Sequence, residues 1–316
     1  LKNYEIEKQD LGDVITIPGS GSRSLIGEPS LPSMSSFVKL DKNKSYDIQY
    51  NIISKKEIDN ISIKPLQTFS DKIVDYQKNE LIYTSNSTYP EKNLFISDRN
   101  SMRGTEFINL EIVPFIYDPT QNELTIIEEL EIIISENSQF NQPVSQDFPN
   151  SKVFERMVNA IVINPSNDEL RNEDYQKPAI LYICGGTTET NSYFQQLVKW
   201  RRKQGYIVYT ANTSETGGSN TTAVKNYIQG SMNWDAPPEF VTLVGDDGGN
   251  YNIDSYTEYD SGYNGDGDHP FSQLDGNDLW PEVVLGRISV RSSGELATVV
   301  SKIIGYEQVV DDTDNW

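Results

Sequence analysis

The chain has 316 residues, of which 36% are hydrophobic and 23% charged, and a net charge of −21. That length fits about two domains, each with its own core. The charge divides as −9 before residue 150 and −12 after it, so neither half offers the cationic surface that releases counterions from nucleic acid or holds an anionic membrane. Cys184 is the single cysteine, which excludes an internal disulfide.

No apolar run approaches the roughly 18 residues of a membrane span. The opening LKNYEIEKQD lacks a signal-peptide pattern, which leaves a removed signal or a cytosolic protein as the two readings. Asn86 and Asn212 head glycosylation sequons, expected as chance matches in a chain rich in Asn, Ser and Thr.

The first half reads as β. Runs rich in Ile, Val, Tyr and Phe recur between turn signals at Tyr46–Ile53, Ile58–Ile63, Leu81–Tyr83, Phe107–Tyr117 and Leu124–Ile134. Several alternate apolar and polar residues, the period of half-buried antiparallel strands. Tyr117 to Asn122 reads as a hairpin loop. The economical expectation is an antiparallel β-sandwich-like domain over residues 1–150. At 136–152 apolar periodicity gives way to Asn, Gln, Ser and Pro, as in an exposed linker. Lys152 and Arg156 are its candidate cleavage points, or ordinary surface charges.

From Pro178 the pattern becomes alternating strand and helix, over a domain expected at 153–316. Ala179–Cys184 is a continuous apolar strand broken by Gly185-Gly186. Tyr193, Leu197 and Trp200 fall at helical spacing, with Gly205 as a stop. Ile207–Tyr209 is a strand, Val224, Tyr227 and Ile228 mark a helix, and Phe240–Val244 and Val283–Ile288 are strands. Leu296, Val299, Val300, Ile303 and Ile304 give a last helix starting at Ser292 or Ser293. Strands apolar on both faces, with helices between them, predict a doubly wound parallel sheet.

The main constellation of candidate ligands is Gly245-Asp246, Asp275, Asp278 and Glu282, with Trp280 between the last two. Residues 245–282 hold ten carboxylates and no Lys or Arg. Calcium takes six to eight oxygens from mixed carboxylates and backbone carbonyls. Asp246 ends a strand, Gly276 permits a sharp turn, and Asp278 and Glu282 flank Trp280 at alternate positions. A solvated acidic loop is the competing explanation. Asn264 to Asp268 begins like an EF-hand loop but fails at the sixth position, His269, and at the twelfth, Asp275. Cys184 and His269 are each the only residue of their kind, so an internal Cys–His dyad could only be that pair. A buried structural cysteine is the better reading. Gly185-Gly186 is followed by neither a dinucleotide fingerprint nor a P-loop lysine, so it reads as a strand break.

Several stretches together point to a family. The second half resembles the gingipain-like cysteine peptidases, of caspase-type fold, through AILYICGG (179–186), LVKWRRKQGY (197–206), FVTLVGDD (240–247), DHPFSQLDGNDLWPEVVLGRISV (268–290) and ELATVVSKIIGYEQ (295–308). The first half resembles that family's propeptide through GEPSLPSMSSFVKL (27–40), ISIKP (61–65) and MRGTEFINLEIVPFIYDPTQNEL (102–124). The resemblance implies a secreted bacterial-type endopeptidase zymogen acting on protein or peptide substrates. It also implies a calcium ion held by Asp246, the Asp275 carbonyl, Asp278, the Trp280 carbonyl and Glu282, with Asp275 where the family has a small residue. The family's catalytic histidine and cysteine lie in a second half, expected after Trp316, so no residue of this chain is expected to be catalytic; a second chain could carry that half. A catalytically inactive binding or secretion module is the alternative. A metal-dependent hydrolase is weakened by the near absence of histidine.

Overall fold

Alternating side chains build antiparallel strands in the first part of this computed structural model, which describes residues 1, 3–69, 75–140, 145–165, 175–260, 263–276 and 278–308. In chain order these are β1 (Glu5–Gln9), β2 (Gly12–Thr16), β3 (Gly21–Ser22), β4 (Pro32–Lys39), β5 (Lys44–Asp59), a single helical turn α1 (Glu80–Tyr83), β6 (Leu94–Ile96), β7 (Asn100–Met102), β8 (Thr105–Ile112), β9 (Phe115–Asp118) and β10 (Glu123–Phe140). The chain divides into two compact units, one of Leu1–Arg99, Glu106–Pro143 and Ile161–Pro165, the other of Asn100–Thr105, Val144–Ala160 and Ser166–Trp316. The expected boundary near residue 150 is therefore replaced by an interleaved one.

In the first unit β1 pairs with β2, β5-β10-β9 form a sheet, and β3-β4-β8-β6 form another. The runs Tyr46–Ile53 and Ile58–Ile63 are not separate strands. The first lies wholly within the 16-residue β5, which takes in only Ile58 and Asp59 of the second; β5 pairs antiparallel with β10 from Asp59↔Glu123 onward. Phe107–Tyr117 breaks into two strands at Val113-Pro114, because proline cannot donate to a ladder. Leu81–Tyr83 is helical rather than extended. Asn79 caps it, its side chain accepting from Leu81 N, and a cap of this kind favours helix whatever the apolar content. Phe115, Tyr117, Leu124 and Ile126 fill one buried cluster. Val38, Ile108 and Leu110 fill another, flanked by Tyr46, Ile48 and Ile132.

The expected linker at 136–152 is shorter than drawn, since β10 runs to Phe140 and α2 (Lys152–Ile161) begins where it was to end. Phe154 and Val158 lie four apart on α2 and are both buried, the spacing of one helix face.

The second unit is organised by a parallel sheet. Its elements are β11 (Ala179–Cys184), α3 (Ser192–Lys203), β12 (Ile207–Asn212), α4 (Thr221–Ser231), β13 (Phe240–Val244), the β14–β15 hairpin (Tyr256–Asp260, Tyr263–Gly267), β16 (Val284–Ile288) and α5 (Ser293–Gln308). Strand order is β12-β11-β13-β16. All six residues of β11 are buried, because helices cover both faces. Ile180, Tyr182 and Cys184 pack with Phe194, Leu197 and Val198 of α3 and Leu296 and Val300 of α5. Leu181 and Ile183 pack with Val224 and Ile228 of α4. The β14–β15 hairpin inside the acidic loop was not foreseen.

Glu307 ties α5 to α3. Its Oε2 accepts from Trp200 Nε1 at 2.6 Å, Arg201 Nη1 at 2.7 Å and Gln204 Nε2 at 2.9 Å. Burial alone pushes its pKa up, but these donors outweigh it and hold the carboxyl below the usual glutamate range. A depressed carboxylate stabilises the fold above its unfolded pKa, about 4.3, and loses that contribution as pH falls through the folded value. Glu307→Ala is expected to cost about 1–2 kcal/mol at pH 7. Urea melts should show the gap between wild type and variant closing toward pH 3; a gap independent of pH would remove the ionised carboxylate from the account.

Candidate functional site

A parallel strand pair fixes where the acidic residues fall. β13 and β16 run in register from Phe240↔Val284 to Val244↔Ile288. Asp246 lies two residues beyond the carboxyl end of β13, whereas Glu282 lies two residues before the amino end of β16. At about 3.3 Å per residue, the register places them roughly 26 Å apart along the strands. The expectation that one cation joins Asp246 to Glu282 is therefore corrected. Asp246 has partners of its own, accepting from Ser289 Oγ at 2.7 Å and from Arg291 Nε. These bonds, Ser289 first, draw its pKa down.

The other members stay together at the amino edge. Glu282 is fully buried, and its Oε2 accepts from the backbone N–H of Leu274 at 2.7 Å and of Asp275 at 3.1 Å. Burial, with smaller contributions from the charges of Asp278 and Asp275, raises its pKa to about 7 against the pull of those two donors. Its Oε1 is buried without a partner. Asp275 accepts from Gly276 N at 3.0 Å on Oδ1 and from Gln146 N at 2.8 Å on Oδ2. Asp278 accepts from Trp280 N at 2.9 Å on Oδ1 and from Ser101 N at 2.8 Å on Oδ2. Backbone N–H groups thus hold the loop, and Gly276 has the positive φ of 71° expected of a sharp turn.

Among the described residues, no three His, Cys, Asp or Glu side chains converge closely enough to bind a metal by themselves. The chemistry of the loop nonetheless suits a hard cation. Asp275, Asp278, Glu282 and the Trp280 carbonyl offer oxygen only, and a buried carboxylate oxygen with no donor is unusual in a folded protein.

Sequence reasoning missed Arg103. It is 5% exposed, and its guanidinium donates to the carbonyls of Pro237 (2.9 Å), Pro238 (2.9 Å) and Glu282 (2.7 Å). The only available signal was the dipeptide Arg103-Gly104 between two strand-like runs.

The remaining candidates are accounted for locally. Cys184 is fully buried on β11, and burial pushes its thiol far up despite a hydrogen bond with Thr188. The His269 ring is held at 3.0 Å by the Leu279 carbonyl. Asp268 forms a bidentate pair with Arg287, both contacts at 2.7 Å, so its carboxylate is already engaged by an arginine. The backbone of Asn250 and Tyr251 passes over Gly185 and Gly186, where any Cβ would collide with it; close chain approach accounts for this glycine pair. Lys152 and Arg156 lie on α2, a regular helix. Because the thiolate is the reactive form, Cys184 is expected to resist Ellman's reagent in the native protein and to react stoichiometrically in urea. Rapid native labelling would contradict its burial.

The model of C25 propeptides matches residues 1–167, and that of Peptidase family C25 matches residues 173–316. The chain belongs to this family of gingipain-like cysteine peptidases and comprises the propeptide and part of the catalytic domain. It is 23% identical over 329 residues to Gingipain R1 of Porphyromonas gingivalis, covering 100% of this chain and 32% of that protein. To Lys-gingipain of P. gingivalis it is 22% identical, covering 93% and 18%. The chain thus spans about a third or less of the length of these curated relatives. The solved complex of P. gingivalis RgpB pro- and mature domains matches with a TM-score of 0.43 and 18% identity, covering 52% of this chain and 87% of that one.

Proposed function

We propose that the chain is the propeptide and leading catalytic portion of a secreted, calcium-binding cysteine endopeptidase zymogen. In this reading the first unit is a sandwich-like prodomain, the parallel sheet is half of a caspase-type catalytic domain, and substrates are proteins or peptides. The nucleophile and its histidine belong to residues beyond this stretch. Buried Cys184 and the engaged ring of His269 support that assignment, since a nucleophilic thiol needs a base within hydrogen-bond reach. The single observation that carries the reading is the succession of two family matches, propeptide then peptidase, along one chain. Among the described residues, no helix is long and apolar enough to cross a membrane.

The cation is proposed at Asp275, Asp278, Glu282 and the Trp280 carbonyl, without Asp246. There it would offset the negative charge of the acidic loop and brace the chain leading into β16. The test of the enzymatic reading is hydrolysis of unstructured protein substrates by the intact protein, before and after release of its propeptide. Iodoacetamide-sensitive hydrolysis appearing on release is expected. A protein inert in every processed form belongs instead to the inactive binding modules.

A further inference from the structure

The boundary between the two family matches and the boundary between the two compact units do not coincide. Residues 100–105 and 145–160 fall within the propeptide match yet pack in the second unit, with the peptidase part. Arg103 is the centre of that packing. The backbone there is unusual: Arg103 has φ 46° and Gly104 φ 78°, a left-handed pair that a tight turn requires and that an arginine adopts at some cost. Gly104 cannot be larger, since a Cβ would lie 2.9 Å from the Gln146 carbonyl and 3.3 Å from the Phe148 ring. The turn is thus forced close to its neighbours and presents one long side chain inward.

That side chain enters a cage of carbonyls. Pro237 and Pro238 precede β13, and Glu282 precedes β16, so their oxygens converge at the amino edge of adjacent parallel strands. The guanidinium carbon lies 5.5 Å from the ring centroid of Phe148 and 5.1 Å from that of Phe154, within cation–π range. Glu239 and Glu282 contribute favourable charge, although burial dominates and lowers Arg103 to about 10. Accessory bonds surround the anchor: Ser101 N to Asp278, Gln146 N to Asp275, and Ser151 Oγ to Glu239. A planar fork of donors suits several carbonyls at once, which a single ammonium does not.

We infer that the carbonyl cage of Pro237, Pro238 and Glu282 is a docking surface on the peptidase part for the arginine-tipped turn of the propeptide, and that Arg103 is the residue that retains the propeptide once the connecting chain is cut. The surface lies at the amino edge of the sheet, opposite the carboxyl edge where open α/β sheets place their sites. Retention through this turn is therefore separate from occupation of a substrate cleft. Fully desolvated arginines are typical of the few residues that dominate an interface. The inference rests on the family assignment and on this geometry, not on the cation proposed above.

The test uses the full chain with a specific protease site inserted between residues 167 and 173, the interval separating the two matches. After cutting, the wild-type pieces should co-elute on gel filtration and separate slowly when one piece is immobilised and washed. Arg103→Ala should raise the dissociation rate at least tenfold, and Arg103→Lys nearly as much. Arg23→Ala, which alters an arginine paired with Glu111 within the first unit, should leave the rate unchanged. Circular dichroism of the uncut variants checks folding; if the alanine variant fails there, the lysine variant carries the test. Wild-type pieces that part on cutting, or an Arg103 variant that folds and dissociates within twofold of wild type, would overturn the inference.

Discussion

Glu282→Ala is expected to lower the unfolding free energy of the second unit by about 2–4 kcal/mol, the largest effect of any single substitution in the acidic loop. The carboxylate is fully buried and accepts from two backbone N–H groups, those of Leu274 and Asp275. Alanine leaves both donors without a partner, and each buried orphan costs about 1–3 kcal/mol. It also removes a negative charge that offsets the buried cation of Arg103. Glu282→Gln should cost much less, because its amide oxygen can still receive both N–H groups. Urea unfolding followed by tryptophan fluorescence measures this directly: the four tryptophans, at 200, 234, 280 and 316, all lie in the peptidase match. Equal stabilities for the alanine and glutamine variants would show that the two hydrogen bonds are not what the loop depends on.

Some of this architecture is legible in the residues alone because a single cause dominates. β11 reads plainly: burial of both faces requires an uninterrupted apolar run, and Ala179–Cys184 supplies one. α5 reads equally well from Leu296, Val300 and Ile303. Leu81–Tyr83 misleads, since three apolar or aromatic residues fit a strand or a helical turn equally and the Asn79 cap decides. Asp246 and Glu282 mislead for a topological reason. In a parallel pair the end of one strand and the start of the next lie at opposite edges, so nearness along the loop does not give nearness in space. Arg103 is marked in the sequence only by the Gly104 that follows it. Its burial depends on carbonyls more than 130 residues later in the chain, and neither periodicity nor local charge reports such a contact.

That topological separation makes calcium the most discriminating reagent. Saturating calcium, relative to a chelator, is expected to raise the melting temperature of the second unit. An ion present at about 100 times its dissociation constant contributes roughly 2.7 kcal/mol. For a unit of this size each kcal/mol corresponds to about 2–4 °C, so the expected shift is roughly 5–10 °C. Asp278→Ala should abolish it, because calcium affinity follows the number of charged oxygens in the site. Asp246→Ala should leave it intact, since that carboxylate serves Ser289 and Arg291 at the other edge. Magnesium should give a smaller shift, as it demands near-octahedral geometry and dehydrates reluctantly. A melting temperature indifferent to calcium would remove the ion from the loop. A shift abolished by Asp246→Ala and retained by Asp278→Ala would move it to the carboxyl edge.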